Sequence, residues 1–293
     1  METFTLPSSR NGCNLFCYSW IPAGSVRGTV QILHGMLEYI PRYEVLAQFL
    51  NSNGFAVFGH DHLGHGRTSP TEPGFFNETD GDLNLVEDAK VVCDHICKTY
   101  TGVPHFIIGH SMGSYIARRF MTKYGSSVNG VVCVGTGNRS LEDAERMVGY
   151  ANKFVAELGP RAYSEDLDGL VLGKNFSRVK VGASDTSQMT EERRNRLRFQ
   201  TSGYRDMFML TLRLAKEEDF GNIPASLPVA FFSGSEDQVG AKGQGVISAA
   251  DILRKYGSTP YVNIYDGMNH DILHEEGCQK VFKDILDWIS GKI

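Results

Sequence analysis

The chain has 293 residues, 41% of them hydrophobic, with a formal net charge of -5. A chain of this size can bury a core without disulfide or metal support, which excludes the small stapled folds. Mild acidity with no basic run or stripe excludes a nucleic-acid partner, and no apolar stretch reaches the length of a membrane span.

The opening residues, Met1-Glu2-Thr3-Phe4-Thr5-Leu6, carry no basic region followed by a long apolar one. A cytoplasmic protein is therefore expected. Residues 3–8 and 14–20 read as two strands joined by the turn Ser9-Arg10-Asn11-Gly12. Gly28 to Leu33 is the next strand, and it runs into His34-Gly35-Met36. Ile40 to Leu50 has helical spacing with a stop at Gly54, and Phe55 to Phe58 is a buried strand. Asp61 to Ser69 is a loop rich in glycine and histidine. Asp80 to Tyr100 is a long amphipathic helix with Leu85, Val86, Ala89, Val92, Cys93 and Ile96 on one face.

Phe106 to Phe120 organises the chain. An apolar strand leads into Gly109-His110-Ser111-Met112-Gly113, and a helical pattern follows at once. Strand, sharp turn and helix with a serine at the apex form a nucleophile elbow. Val128 to Val134 is a further strand. From residue 28 to 134 strands and helices alternate, which marks a mostly parallel sheet flanked by helices. The alternation stops over 138–223. There Leu141 to Leu158 and Tyr204 to Ala215 are amphipathic helices, separated by a polar, irregular stretch. The rhythm resumes with a strand at 228–232, a helix at 244–256, a strand at 261–265 and a helix at 277–290. The expected division is a core of 1–137 and 224–293 with a helical cap, or lid, inserted at 138–223.

A serine hydroxyl needs a base within reach, and the base needs an orienting acid. In an elbow architecture they follow in the order serine, acid, histidine. Asp237, beside Glu236, stands in a tight loop past the strand at 228–232. His270 follows the last strand through Asp266-Gly267-Met268-Asn269. His274 lies four residues on and reads as a surface or helix-start histidine. The catalytic set is therefore Ser111, Asp237 and His270. The backbone N–H groups of Met36 and Met112 are the expected oxyanion-hole donors.

Two sets of residues imitate metal ligands. Cys13/Cys17 and Cys93/Cys97 have close spacing, but they fall in a strand and on a helix, as reduced thiols would. His60, Asp61, His62 and His65 form a histidine-rich run, but Gly64 and Gly66 break any helix that would align them, and turn chemistry accounts for the loop. No metal and no cofactor is expected.

The chain resembles the α/β-hydrolase superfamily, and within it the monoacylglycerol lipase and lysophospholipase branch. The resemblance rests on His34-Gly35-Met36-Leu37-Glu38-Tyr39 with Arg42-Tyr43, on Asp61 to Thr68, on Gly109 to Gly113, on Gly234 to Asp237 and on His270 to Glu275. It implies an α/β-hydrolase fold with the triad and donors named above, a structural role for the 60–68 loop, and a charged pair, Glu38 and Arg42, beside the oxyanion loop. Leu37, Tyr39 and Ser114 depart from the branch pattern and alter the floor of the acyl pocket. The expected activity is hydrolysis of small, lipid-like acyl esters, with transient contact between the lid and a membrane surface. An aminopeptidase or amidase on the same fold is the alternative. It would need a lid carboxylate, from Glu157, Glu165, Asp166 or Asp168, to hold a free ammonium. A non-catalytic scaffold is a third reading, and the complete triad argues against it.

Overall fold

A computed structural model describes residues 1–172 and 198–293. Eight strands form one sheet in the order β1-β2-β4-β3-β5-β6-β7-β8. They are β1 (Glu2–Pro7), β2 (Asn14–Trp20), β3 (Gly28–Leu33), β4 (Phe55–His60), β5 (His105–His110), β6 (Gly130–Val134), β7 (Val229–Gly234) and β8 (Tyr261–Tyr265). β1 pairs antiparallel with β2, and β2 antiparallel with β4. Every pairing from β4 to β8 is parallel.

The parallel strands β3 to β7 are buried along their whole length. This is why their sequences read as nearly continuous apolar runs rather than alternating ones. Successive side chains still go to opposite faces: Phe106 and Ile108 join one apolar cluster and Ile107 the other. α2 (Gly81–Thr99), α3 (Met112–Tyr124) and α7 (Gln244–Lys255) cover the Ile107 face. α1 (Glu44–Ser52) and α8 (Cys278–Ser290) cover the other.

Three α-helices stand between β6 and β7 among the described residues: α4 (Leu141–Leu158), α5 (Glu165–Leu172) and α6 (Thr201–Ala215). α4 starts on a capping residue, since the Ser140 hydroxyl accepts the Asp143 N–H at 3.1 Å. It ends at Gly159, whose φ of 91° no ordinary side chain favours. α6 is more deeply seated than an amphipathic cover requires. Tyr204, Phe208, Leu210 and Leu214 are buried in the cluster shared with α2 and α3, and Met207 lies in the same cluster as Met112.

Two elements depart from the sequence reading. The helix expected from Ile40 begins as a 3-10 turn, Ile40–Tyr43, and becomes α-helical only at Glu44. Pro41 near its start lacks an N–H to donate to an earlier carbonyl. Part of the stretch read as irregular is α5, with Glu165, Asp166 and Asp168 in its first turn where the helix dipole favours acids. Residues 173–197 of that stretch lie outside the described residues, and its last three, Thr201 to Gly203, form the first turn of α6.

Val281, Phe282, Ile285 and Ile289 form the buried stripe by which α8 closes its face of the sheet. Ile285→Ala is expected to cost about 2–5 kcal/mol in chemical denaturation. Val45→Ala, on the exposed side of α1, should change stability by no more than about 0.5 kcal/mol. Equal effects would contradict this assignment of the core.

Candidate active site

Strand register brings the two ends of the site together. Leu33 pairs with Gly109 across β3 and β5, so His34-Gly35-Met36 leaves the sheet beside His110-Ser111. The order β4-β3-β5 means that the chain switches direction at this point, which is where open parallel sheets form clefts. Ser111 has φ 50° and ψ -118°, a strained conformation for a residue with a side chain. Its N–H is tied to the Val134 carbonyl at 2.9 Å. The turn is possible because both glycines are bare: a Cβ at Gly109 would stand 2.3 Å from the Gly113 oxygen, and one at Gly113 would stand 2.0 Å from the Leu33 oxygen.

The acid and histidine loops meet in the same way. β7 pairs with β8, and the Glu236 N–H donates to the Met268 carbonyl at 2.9 Å. Asp237 is fully buried at the end of this loop. Its Oδ1 is 2.9 Å from His270 Nδ1 and accepts the Val239 N–H at 2.8 Å, while Oδ2 accepts the Ser233 hydroxyl at 3.2 Å. Burial would raise this carboxyl, but the hydrogen bond and charge of His270 outweigh it and hold its pKa below the usual range. His270 Nε2 is 2.9 Å from Ser111 Oγ. The three residues singled out in the sequence thus stand in one chain of hydrogen bonds. Glu236 is exposed and pairs with Lys242 at 3.0 Å.

Met112 is the first residue of α3, so its N–H belongs to the unpaired group at a helix start. Across from it, the Gly35 N–H donates to Glu38 Oε2 at 2.8 Å and the Leu37 N–H to His65 Nε2 at 3.1 Å. The Met36 N–H between them has no protein acceptor among the described residues. Leu37 has φ 61°, and this turns the loop back over itself.

The 60–68 loop wraps around Asp61. Its carboxylate accepts the N–H groups of Ile40 and Arg67, both at 2.8 Å, and the Tyr18 hydroxyl at 3.0 Å. A Cβ at Gly66 would stand 2.1 Å from this carboxylate, which is why glycine sits there. The ring nitrogens of His62 and His65 are likewise engaged in hydrogen bonds within the protein. Among the described residues Asp61, His62 and His65 do not form a cluster of close ligand-type atoms.

The Glu38 and Arg42 pair that the resemblance implies belongs to a larger group, lying beneath the Ser111–His270–Asp237 line, that the sequence did not reveal. Glu38 accepts from Gly35 N–H, from the Tyr43 hydroxyl at 2.5 Å and from Arg42 at 2.9 Å. Arg42 continues to Asp271, the residue after His270. His110, the residue before Ser111, stands between the Tyr43 hydroxyl at 2.8 Å and the His270 carbonyl at 3.4 Å. Burial pushes the His110 ring toward neutrality, but the Glu38 carboxylate prevails and raises its pKa. His274 also belongs here, which corrects its reading as a surface or helix-start histidine. It is part-buried in a turn between the Asp271 carboxylate at 2.7 Å and the Arg42 carbonyl at 3.1 Å. Glu38, His110 and Asp271 bring ligand-type atoms within 4.8 Å of one another, but the Arg42 guanidinium already meets both carboxylates there.

Comparison with known proteins agrees with this architecture. The family model described as serine aminopeptidase, S33, matches residues 24–277. The monoglyceride lipase of Homo sapiens is 27% identical over 96% of this chain and 88% of its own. A thermostable carboxyl esterase from Bacillus coagulans, solved with glycerol, superposes with a TM-score of 0.86 at 23% identity, covering 99% of this chain and 98% of that one. A monoglyceride lipase from Saccharomyces cerevisiae, solved with a substrate analogue, gives 0.72 at 21% identity, covering 99% and 95%.

Asp271 offers a test of the buried network. Burial would raise its pKa, but His274 and Arg42 bring it down to about 2 from 3.8. The stability it contributes is therefore complete above pH 3.8 and is lost as pH falls toward about 2. The unfolding free-energy difference between wild type and Asp271→Asn is expected to shrink by about 2 kcal/mol between about pH 5 and about pH 2. A difference that stays constant over this range would show that the carboxylate is not held by these partners.

Proposed function

The chain belongs to the serine aminopeptidase S33 family of α/β-hydrolases, and from that premise we propose that it is a serine carboxylester hydrolase acting on monoacylglycerol-like or lysophospholipid-like esters. The hydrogen-bonded line Ser111–His270–Asp237, with 2.9 Å at each step, carries this reading. Ser111 attacks the ester carbonyl while His270 Nε2 takes its proton. Asp237 orients the ring through Nδ1 and stabilises the imidazolium. The oxyanion is met by the N–H groups of Met36 and Met112. His270 returns the proton to the departing alcohol, and water, deprotonated by His270, then releases the acid from Ser111.

In this reading 138–223 is a cap over a core of 1–137 and 224–293. Met147, Val148 and Met207 lie in the apolar cluster that also holds Leu37 and Met112, and this supports an acyl-binding face beside the serine. Methionine suits such a face because it adapts to irregular apolar shapes. Leu141, Tyr150 and Leu158 of α4 and Leu170 of α5 are exposed, and they support transient contact between the cap and a lipid surface. No helix among the described residues is long and apolar enough to cross a membrane. The six free cysteines support a reducing, cytoplasmic setting.

The family description names an aminopeptidase, but the residues that such a reading needs are poorly disposed. Asp168 already binds Arg198 and the Tyr204 hydroxyl, each at 2.6 Å. Glu157 faces solvent beside Lys153, and Glu165 and Asp166 are exposed.

Ser111→Ala is expected to lower kcat by about 10⁴-fold or more, and His270→Ala likewise, with little further loss in the double variant because triad members act as a unit. A fluorophosphonate should label Ser111 alone. Substantial turnover by Ser111→Ala, or an adduct elsewhere, would overturn the assignment.

Substrate class is decided by steady-state kinetics on two series. kcat/KM for glycerol or p-nitrophenyl esters should rise with chain length to an optimum, at about 0.8 kcal/mol for each methylene buried, and then fall. Aminoacyl anilides should be cleaved far more slowly. A flat ester series together with rapid anilide cleavage would move the reading to an aminopeptidase.

A further inference from the structure

Four buried histidines, His34, His60, His62 and His65, pack together behind the oxyanion loop, and the triad chemistry uses none of them. Their rings are close: His34 to His62 is 4.0 Å between centroids, and His34 to His65 is 4.9 Å. Four imidazoles in one dry cluster cannot all carry charge. Burial holds His34 down to about 4, His60 and His65 down to about 3, and His62 well below its ordinary value.

Backbone groups fix which nitrogen carries each proton. The His62 N–H donates to His34 Nε2 at 2.9 Å, so His34 holds its proton on Nδ1 and gives it to the Gly35 carbonyl at 2.8 Å. The Leu37 N–H donates to His65 Nε2 at 3.1 Å, so His65 holds its proton on Nδ1 and gives it to the Leu63 carbonyl at 2.9 Å. His62 donates from Nε2 to the His34 carbonyl at 3.2 Å and accepts on Nδ1 from His60 Nε2, also at 3.2 Å. His60 Nδ1 is left without a partner among the described residues, the end of the chain of bonds.

Three of these bonds fall on the oxyanion loop itself: at the His34 carbonyl, the Gly35 carbonyl and the Leu37 N–H. The Gly35 N–H goes to Glu38. Within Gly35 to Leu37 the remaining N–H is that of Met36. A loop bent at Leu37 through φ 61° needs such ties to keep one N–H aimed outward.

We propose that His34, His62 and His65 are positioning residues: neutral imidazoles, each locked in one tautomer, that set the oxyanion-loop backbone and leave the Met36 N–H for the reaction. The inference rests on the reading of Met36 as an oxyanion donor given above. Its first consequence can be measured without turnover. Long-range ¹H–¹⁵N spectra of the histidine-labelled protein should show His34 and His65 as Nδ1–H tautomers, the minor form of a free histidine side chain, and His62 as Nε2–H. None of the three should titrate between about pH 8 and about pH 5.

Activity supplies the second arm. His65→Leu removes the acceptor of the Leu37 N–H and is expected to lower kcat by about 10²-fold, with KM changed less than about threefold, the pattern of a lost transition-state contact. His65→Gln returns an acceptor oxygen and should recover most of that loss. A boronic acid, whose tetrahedral adduct carries the oxyanion, should lose affinity in His65→Leu by about the same factor as kcat. Equal loss in the Leu and Gln variants, or Nε2–H tautomers at His34 and His65, would overturn the proposal. Should His65→Leu not fold, the wild-type spectra decide. Turnover surviving in Ser111→Ala would instead sink the esterase reading, and the tautomers would stand apart from that result.

Discussion

With no side chain at Gly113, the first turn of α3 rests directly on the backbone of Leu33 and His34, and this contact sets the distance between Ser111 and the loop that faces it. The chain reaches that contact only by bending sharply at Ser111, into a conformation that costs on the order of 1–3 kcal/mol. The cost is sustained because the turn is pinned on every side. β3 and β6 flank β5 in register, the Ser111 N–H is bound by Val134, and the Ser111 carbonyl accepts the Ser114 N–H at 2.9 Å. The sheet thereby turns a locally unfavourable bend into a fixed point from which the other site residues take their positions.

The charged group beneath this point has a common logic. Three residues it ties down stand next in sequence to those proposed for catalysis: Gly35 is beside Met36, His110 beside Ser111 and Asp271 beside His270. Three loops that are far apart along the chain are bound through the residues adjacent to their business ends. A buried carboxylate on its own would be costly. Glu38 and Asp271 are tolerated because Arg42 lies between them, because the Gly35 N–H and the Tyr43 hydroxyl also meet Glu38, and because the His274 ring also meets Asp271.

How much of this was legible in the sequence depended on range. The elbow, the strand-end loops at Asp237 and His270 and the alternation of strands and helices were readable because each is written in a local pattern of glycines, apolar runs and turn residues. The Glu38 group was not readable as a network. Its members are spread from residue 38 to residue 274, and nothing local distinguishes His110 or Asp271 from a spacer. The place of His274 is hidden for the same reason, since its partner Arg42 is remote in sequence. The glycines of the 60–68 loop mark turns locally, yet nothing in that run says that its histidines turn inward to the loop after β3. The depth of α6 was also hidden, because an apolar stripe does not tell how much of the remaining surface a neighbouring helix will cover.

The insertion between β6 and β7 has a topological side. Those two strands are parallel neighbours, paired from Val131–Val229 to Val134–Phe232, so the chain leaves the sheet and returns to the adjacent position in it. Whatever is built between them has only to span one crossover. The strand registers on either side, which align the loops that carry Ser111, Asp237 and His270, therefore place no demand on the length of α4 and α5, whereas α6 is tied to the core through Tyr204, Phe208 and Leu210. The fully buried Arg118 of α3 anchors the point of departure, holding the Gly137 carbonyl at 2.8 Å and the Asn138 side chain at 2.9 Å. The sheet below is thus a closed frame, and the chain that crosses above it can be fitted to that frame from a single point of departure and a single point of return.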